Sequence, residues 1–217
     1  MIDPYYVDEF VTLYHGDCRD VLPSVDADVA VMDPPYGTGF PYHSYEDTVQ
    51  NLDALIADVF PLLPQRAAIF SGVQNLHRWP QPKWTLCWLD PGGTGSGPWG
   101  FCTWQPILTY GPDPYLASGK GRRPDSFRST LGSRPHKEDK DGSGAHSCPK
   151  PLDVMGWVIE RVSPDPLDVI VDPCCGSGST LVVAKRHGHR VVGIEQDEAY
   201  CEIAAKRLCQ GVLDFGA

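Results

Sequence analysis

Short apolar runs alternate with stretches of helical spacing along most of this chain. Runs bounded by Gly, Pro or Asp predict strands at 10–15, 29–32, 67–70, 84–89, 101–110, 167–171 and 190–194. Apolar residues three and four positions apart predict helices at 19–25, 47–63, 74–79, 151–162, 180–187 and 197–209. Because strands that are apolar on both faces need helices to cover them, the pattern predicts an α/β fold with a doubly wound, mostly parallel sheet and helices on both faces.

The apolar run at 29–32 leads straight into Asp33-Pro34-Pro35-Tyr36. Proline fixes φ, lacks an N–H and disfavours helix in the residue before it, so the pair ends the strand abruptly. Asp33 is therefore expected at the carboxyl end of a strand, where open α/β sheets bind ligands, with a mobile aromatic loop at 37–45 above it. Taken alone, the motif is equally consistent with a rigid turn.

A second motif follows the strand at 167–171. It reads Asp172-Pro173-Cys174-Cys175-Gly176-Ser177-Gly178-Ser179, and a helix follows from Thr180. Glycines there let the backbone approach a ligand, and the helix supplies free N–H groups. Glu195 ends the next strand, where dinucleotide folds carry a ribose-binding acid, although Leu181 stands in place of the third glycine of that fingerprint. The alternative is a tight turn without a ligand.

Composition narrows the class of protein. The chain has 217 residues and 41% apolar content, which favours a single domain over 1–217, and no apolar run is long enough to cross a membrane. The mixed, acidic N-terminus does not resemble a signal peptide. Eight Cys without paired C-x-x-C spacing indicate reduced thiols in a cytoplasmic setting rather than disulfides or a zinc site.

Charge is unevenly distributed. The net charge is −10, yet residues 119–150 carry eight Lys or Arg against four acids. Apolar periodicity is absent from 111–147, which predicts an insert or loop. A locally basic segment on an acidic protein fits either contact with a phosphate backbone or a solvated loop, and charge alone leaves both open.

The two motifs together resemble the amino-group DNA methyltransferases that use S-adenosylmethionine. Because Asp33-Pro34-Pro35-Tyr36 precedes the glycine motif here, the chain is similar to the circularly permuted β class of that family, with a Rossmann-like fold. The resemblance runs over 13–208, interrupted by 111–147. It includes Gly16-Asp17 and Cys148-Pro149-Lys150-Pro151-Leu152.

This resemblance implies S-adenosylmethionine as the cofactor. The glycine motif would border the methionine part, Glu195 would hold the ribose hydroxyls, and Asp17 would bind the adenine amino group. Lys150 would lie at the cofactor pocket, while Cys174 and Cys175 would be packing residues rather than nucleophiles. The cofactor-binding set implied is Asp17, Cys18, Asp33, Lys150, Asp172, Cys174, Gly176, Ser177, Gly178, Thr180 and Glu195.

The resemblance also implies a mechanism. The Asp33 carboxylate and the Pro34 carbonyl would accept hydrogen bonds from an exocyclic amine and free its lone pair, Pro35 would add rigidity, and Tyr36 would stack on the base. Methyl transfer would be direct, without a metal, to a base flipped from duplex DNA or supplied single-stranded. Asp at the first position resembles adenine-N6 enzymes more than cytosine-N4 ones. An RNA methyltransferase and a catalytically silent cofactor-binding subunit remain alternatives.

Only 111–147 is available as a reduced target-recognition region. Its basic residues would contact phosphates, which position DNA without specifying sequence. This favours a short or relaxed recognition sequence, or help from a second subunit in a homodimer. The small size suits an orphan or phage-type enzyme, and pairing with a nuclease in a restriction-modification system stays open. Five tryptophans (Trp79, Trp84, Trp88, Trp99 and Trp104) are expected mainly in the core. The DNA-binding candidates are Lys120, Arg122, Arg123, Arg128 and Arg134.

Overall fold

The computed structural model describes residues 2–93, 95–129 and 149–210. The strands in chain order are β1 (Tyr6–Val7), β2 (Val11–His15), β3 (Val29–Met32), β4 (Arg66–Phe70), β5 (Trp84–Leu89), β6 (Gly95–Gly97), β7 (Gly100–Cys102), β8 (Trp104–Tyr110), β9 (Ser126–Arg128), β10 (Val169–Asp172) and β11 (Arg190–Glu195). The helices are α1 (Cys18–Val21), α2 (Val49–Val59), α3 (Pro114–Ala117), α4 (Leu152–Val162), α5 (Ser179–Arg186) and α6 (Glu198–Gln210). Short 3₁₀ turns occupy Leu22–Ser24, Phe60–Leu62 and Val73–Asn75.

Nine strands form one sheet in the order β1-β2-β11-β10-β3-β4-β8-β5-β9. Five central strands, which are β2, β11, β10, β3 and β4 in that order, are mutually parallel, and β8 pairs with β4 in the antiparallel sense. The sequence prediction of a doubly wound, mostly parallel α/β sheet is confirmed. From β10 the chain continues to β11 on one side of the sheet, and from β3 it continues to β4 on the other side. Doubly wound folds bind ligands where the strand order reverses in this way.

Helices cover both faces of the sheet. On one face, α4, α5 and α6 pack against the strands; on the other, α1 and α2 do. All four residues of β3 are buried, as expected for a strand covered on both sides. The apolar stripe of α2 buries Leu52, Leu55, Ile56 and Val59, each contributing about 1.5–3 kcal/mol relative to exposure.

The ends of the parallel strands define two edges. We call the edge where β2, β3, β4, β10 and β11 finish the carboxyl edge, and the opposite one the amino edge. Asp33 follows β3 at the carboxyl edge, Asp172 closes β10, and Glu195 closes β11. Because β3 and β10 are neighbours, the two sequence motifs meet on adjacent strands although more than 130 residues separate them.

The helix predicted at 74–79 is only a 3₁₀ turn at Val73–Asn75, and three further segments also differ from the sequence prediction. The insert at 111–147 contains a short helix, α3, and an edge strand, β9, which pairs with β5; its residues 130–147 lie outside the described part. The connection at 91–100 contributes to a two-stranded ribbon of β6 and β7. β1 is a two-residue strand, too short to give a periodic signal. Among the described residues, no helix has the length and apolar character needed to span a bilayer.

Replacing Gly178 with Ala should lower the free energy of unfolding by about 2–4 kcal/mol. Gly178 has φ +82°, and an added Cβ would lie 2.9 Å from the Cβ of Ala204 in α6. Gly188→Ala is the matched control, since Gly188 has φ +78° but no atom within 4 Å of the added Cβ. Chemical denaturation should therefore give a clearly larger loss at position 178. Equal losses would mean that backbone strain alone matters.

Candidate active site

Asp33 is the centre of a hydrogen-bonded cluster. The Tyr36 hydroxyl donates to its Oδ1 at 2.6 Å, and the Lys150 ammonium donates to its Oδ2 at 2.5 Å. Lys150 Nζ also lies 5.4 Å from the centre of the Tyr36 ring and 5.3 Å from that of Phe70. The carboxylate is thus oriented from two sides, yet about a quarter of its side chain remains exposed to receive a further partner.

The turn that carries Asp33 is fixed by buried groups. Pro34 is buried, and the Asn75 side-chain amide donates to the Tyr36 carbonyl at 2.8 Å. Asn75 is 2% exposed and lies in the 3₁₀ turn after β4. The sequence analysis did not single out Asn75, because nothing in the local pattern links it to a turn 39 residues earlier.

The aromatic loop after Tyr36 is held by a buried carboxylate. Asp47 accepts backbone hydrogen bonds from Gly37, Thr38 and Phe40 at 2.6–3.0 Å. The loop, expected to be mobile, is therefore anchored at several points. Burial, followed by the nearby charges of Asp33 and Asp47, raises the pKa of Tyr42 in this loop.

Asp172 lies at the base of the site and is 1% exposed. It accepts hydrogen bonds from the Cys174 N–H at 3.1 Å and from the Thr180 side chain. Burial raises the pKa of Asp172 to about 7, and the neighbouring negative charges of Asp33 and Glu195 add to this rise. A cation bound beside this carboxyl would favour its ionised form.

Glu195 links β11 to the glycine turn. Its Oε2 accepts from the Gly176 N–H and its Oε1 from the Asp197 N–H, both at 2.9 Å. Burial raises the pKa of Glu195 above its usual value. Because a carboxylate has about four lone-pair positions, Glu195 retains the capacity to accept a further hydrogen bond, for example from a hydroxyl group.

Asp17 ends the row of acids at the carboxyl edge. It caps α1, and its carboxylate accepts bidentate hydrogen bonds from the Arg19 guanidinium, which hold its pKa below the usual range. A hydrogen bond between the Cys18 and Cys174 thiols lowers the pKa of Cys18 and raises that of Cys174. The structure thus brings Asp17, Cys18 and Cys174 together at this edge.

The remaining residues of the glycine turn have structural contacts. Arg207 of α6 donates to the Ser177 carbonyl at 2.8 Å and to its hydroxyl at 3.0 Å, so the polar groups of Ser177 are engaged by α6. Cys175 is buried, and burial raises its pKa, which disfavours the reactive thiolate. No cluster of three or more His, Cys, Asp or Glu suited to a metal occurs within 2–93, 95–129 and 149–210.

The basic segment is divided between the two edges. Because β8 is antiparallel to β4, the chain leaves it at the amino edge, and Arg122 and Arg123 line a cavity of about 600 Å³ there with Arg66 and Arg161. Lys120 follows α3 on the same side. β9 then runs back, so that Arg128 reaches the carboxyl edge opposite Leu89. Of the DNA-binding candidates, Arg128 lies at the carboxyl edge, as Asp33 does. The other described candidates, Lys120, Arg122 and Arg123, lie on the side of the amino edge, and Arg134 lies outside the described residues.

The tryptophans also differ from one another in burial. Trp79 and Trp88 are buried, as expected for core residues. Trp84 and Trp99 are exposed, which contradicts that expectation for these two. Trp84 lies at the amino edge with its indole N–H donating to Asp125, whereas Trp99 lies at the tip of the β6–β7 ribbon.

The sequence resembles known DNA methyltransferases over part of its length. A family model described as DNA methylase matches residues 74–206, more than half of the chain, and includes Lys150, the glycine turn and Glu195. The type II methyltransferase M.HinfI of Haemophilus influenzae is 42% identical over 71 residues, which are 33% of this chain and 20% of that protein. The match therefore spans about a fifth of that relative.

Solved structures share the fold along nearly the whole chain. The cytosine-N4-specific PvuII DNA methyltransferase superposes with a TM-score of 0.74 at 14% identity, covering 99% of this chain and 90% of the other. The M1.HpyAVI–SAM complex superposes with a TM-score of 0.64 at 20% identity, covering 91% and 98%. At these identities the likeness concerns the fold, including the region around Asp33 that the family model does not reach.

Proposed function

This chain belongs to the N6/N4-type DNA methylase family, and from that premise we propose that it transfers a methyl group from S-adenosylmethionine to the N6 amino group of adenine in DNA. The observation that carries the proposal is the position of Asp33 beside the acidic glycine-turn site on the adjacent strand. The turn that carries Asp33 suits a reacting amine, and the glycine-turn site with its acids suits a cationic nucleoside.

The acids of the carboxyl edge fit S-adenosylmethionine. Its sulfonium and ammonium groups are cations, which suit the buried Asp172, and its ribose hydroxyls suit the remaining acceptor positions of Glu195. Asp17 and Cys18 would lie towards the adenine, and the turn from Cys174 through Gly176, Ser177 and Gly178 to Thr180 would border the methionine part. When bound, this molecule supplies an electrophilic methyl group.

Asp33 and Pro34 act on the target amine. The amine lone pair is delocalised into the base, so acceptors at its two N–H groups are needed to free it. The Asp33 carboxylate and the Pro34 carbonyl serve as those acceptors, and the Asp33 carboxylate takes the proton that the nitrogen loses and passes it to solvent. Tyr36, fixed through Asp33 and Asn75, stacks on the base and helps to orient it.

The choice of adenine rests on Asp33, because Asp at this position resembles the adenine enzymes. The test is to incubate the protein with unmethylated duplex DNA and S-adenosylmethionine labelled in its methyl group, and to analyse the nucleosides by mass spectrometry. We expect label in N6-methyladenine. Label in N4-methylcytosine would keep the mechanism and correct the base, whereas label only in RNA would correct the substrate. A chain that binds the cofactor but labels no nucleic acid would support the silent-subunit alternative.

Lys150→Ala should lower the rate of methyl transfer about 10- to 100-fold, with a smaller effect on cofactor affinity. The change leaves Asp33 Oδ2 without its charged donor and removes the ammonium between the Tyr36 and Phe70 rings. Lys206→Ala is the control, since Lys206 forms an exposed pair with Glu202 in α6, a kind of pair that contributes little. Single-turnover rates and calorimetry of cofactor binding would separate the two effects; equal rates for both variants would exclude a role for Lys150.

A further inference from the structure

We propose that the β6–β7 ribbon is a DNA-contacting hairpin whose Trp99 inserts between base pairs of the duplex that carries the target base; this rests on the proposed function. Its turn is Gly97-Pro98-Trp99-Gly100, with Gly97 and Gly100 paired across the ribbon. Proline at the second position favours such a turn and places Trp99 at the tip. We refer to residues 90–93 and 95–103 as the aromatic hairpin.

The fold gives no reason for the aromatic residues at this tip. Trp99 is 101% exposed and Phe101 85% exposed, so neither side chain stabilises the protein by burial. Glycine makes up five of the residues at 91–103, which leaves the two rings projecting from a narrow backbone ribbon. Exposed apolar patches, rather than single exposed residues, mark interaction sites, and Trp99 and Phe101 lie two positions apart at one end of the ribbon.

The base of the aromatic hairpin is firmly anchored. Asp90 is fully buried, its N–H donates to the Thr103 carbonyl at 2.9 Å, and its Oδ1 accepts from the Gly92 N–H at 2.9 Å. Below it, β5 and β8 pair from Leu89 with Trp104 onwards. The direction in which the hairpin leaves the sheet is therefore set by the core.

The aromatic hairpin leaves the sheet at its carboxyl edge. Leu89 and Trp104 lie at the same edge as Phe70, the residue after which β4 ends, and therefore at the edge of Asp33. β5 is three strands from β3, or roughly 14 Å, a distance of about four base-pair steps along a duplex. A duplex that delivers a base to Asp33 would thus pass within reach of Trp99.

The chemistry of the hairpin suits nucleic-acid bases. Residues 91–103 include no Asp, Glu, Lys or Arg, so this stretch presents no charge to repel phosphates on a chain of net charge −10. Aromatic rings can stack on any base. Apolar side chains that insert between base pairs partly unstack them and kink the duplex.

The test compares Trp99→Ala and Trp99→Phe with Trp84→Ala in the full chain. Trp84 is the matched control, because it is 60% exposed but lies at the amino edge. Binding of a fluorescent, unmethylated duplex is measured by anisotropy at several salt concentrations. We expect Trp99→Ala to weaken binding about 10-fold with the salt slope unchanged, because stacking releases no counterions. Trp99→Phe should stay within about threefold of the wild type, and Trp84→Ala within about twofold.

Further readouts make the outcome decisive. All three variants should melt at the wild-type temperature, and the quenching of tryptophan emission by DNA should fall in Trp99→Ala. Unchanged duplex affinity of Trp99→Ala, or an equal loss in Trp84→Ala, would overturn the proposal, as would an effect confined to RNA. Methyl transfer to the same DNA is followed in parallel. An active protein indifferent to Trp99→Ala refutes the hairpin alone, whereas Trp99-dependent binding without methyl transfer supports the hairpin and refutes the proposed function.

Discussion

Asp33→Asn should lower the rate of methyl transfer about 10²- to 10³-fold while cofactor affinity stays within about threefold of the wild type. The amide is nearly isosteric, so the Tyr36 hydroxyl retains an acceptor. It carries no charge, however, and its NH₂ group presents donors to Lys150 and to the target amine. Under the proposed mechanism, the variant loses the acceptor that frees the amine lone pair and the group that takes its proton.

Asp26→Asn is the matched control for this change. Asp26 is an exposed residue shortly before the amino end of β3, so the same substitution is made at the opposite end of the same strand. Single-turnover rates with labelled cofactor and calorimetric affinities should be measured for both variants. Full activity in Asp33→Asn would refute the role given to the carboxylate, and loss of cofactor binding would place Asp33 in the cofactor site instead.

Asp172→Asn is expected to stabilise the free protein at pH 8 and to weaken cofactor binding. The pKa of Asp172 is about 7 in the fold, against an ordinary value of 3.8. The unfolded chain therefore loses its proton at lower pH, and the stability of the wild type falls as the pH rises from about 4 to about 7 and is level above that. Because Asn is neutral and still accepts from the Cys174 N–H, the variant should gain about 2–4 kcal/mol at pH 8.

The stability gain should depend on pH in a defined way. Denaturant unfolding at pH 8 and at pH 5 would show a gain at pH 8 that shrinks at pH 5, where the wild-type carboxyl is mostly protonated. A gain independent of pH would mean that packing, not charge, explains it. A gain seen at pH 8 and reduced at pH 5 would identify Asp172 as a group retained at a cost to stability, as is common at functional sites.

Cofactor binding should show the opposite dependence on Asp172. A bound cation lowers the pKa of this carboxyl, so binding to the wild type releases protons and tightens as the pH rises from 5.5 to about 7. In Asp172→Asn the affinity should fall at least about 10-fold at pH 7.5, and this part of the pH dependence should disappear. Calorimetry in two buffers of different ionisation enthalpy counts the protons released. Because the cofactor amino group titrates near pH 8, only the difference between wild type and variant is assigned to Asp172.

The local motifs and most secondary structure followed from the sequence. Proline at positions 34 and 35 ends a buried strand whatever surrounds it, and glycine at 176 and 178 permits the positive φ values of the turn before α5. Strand and helix periodicities required covered parallel strands, which placed both motifs at one edge. These properties arise from single residues and short repeats, so the sequence alone was sufficient to determine them.

The tertiary structure decided which distant residues meet. Lys150 reaches Asp33 across 117 positions, and Asn75 reaches the Tyr36 carbonyl across 39. The antiparallel pairing of β8 carries Arg122 and Arg123 to the amino edge and directs Trp99 towards the carboxyl edge. Strand direction and register depend on pairing between separate segments, which local composition does not encode. For this reason the sequence identified the candidate reacting groups, and only the folded sheet determined which charges and aromatic rings surround them.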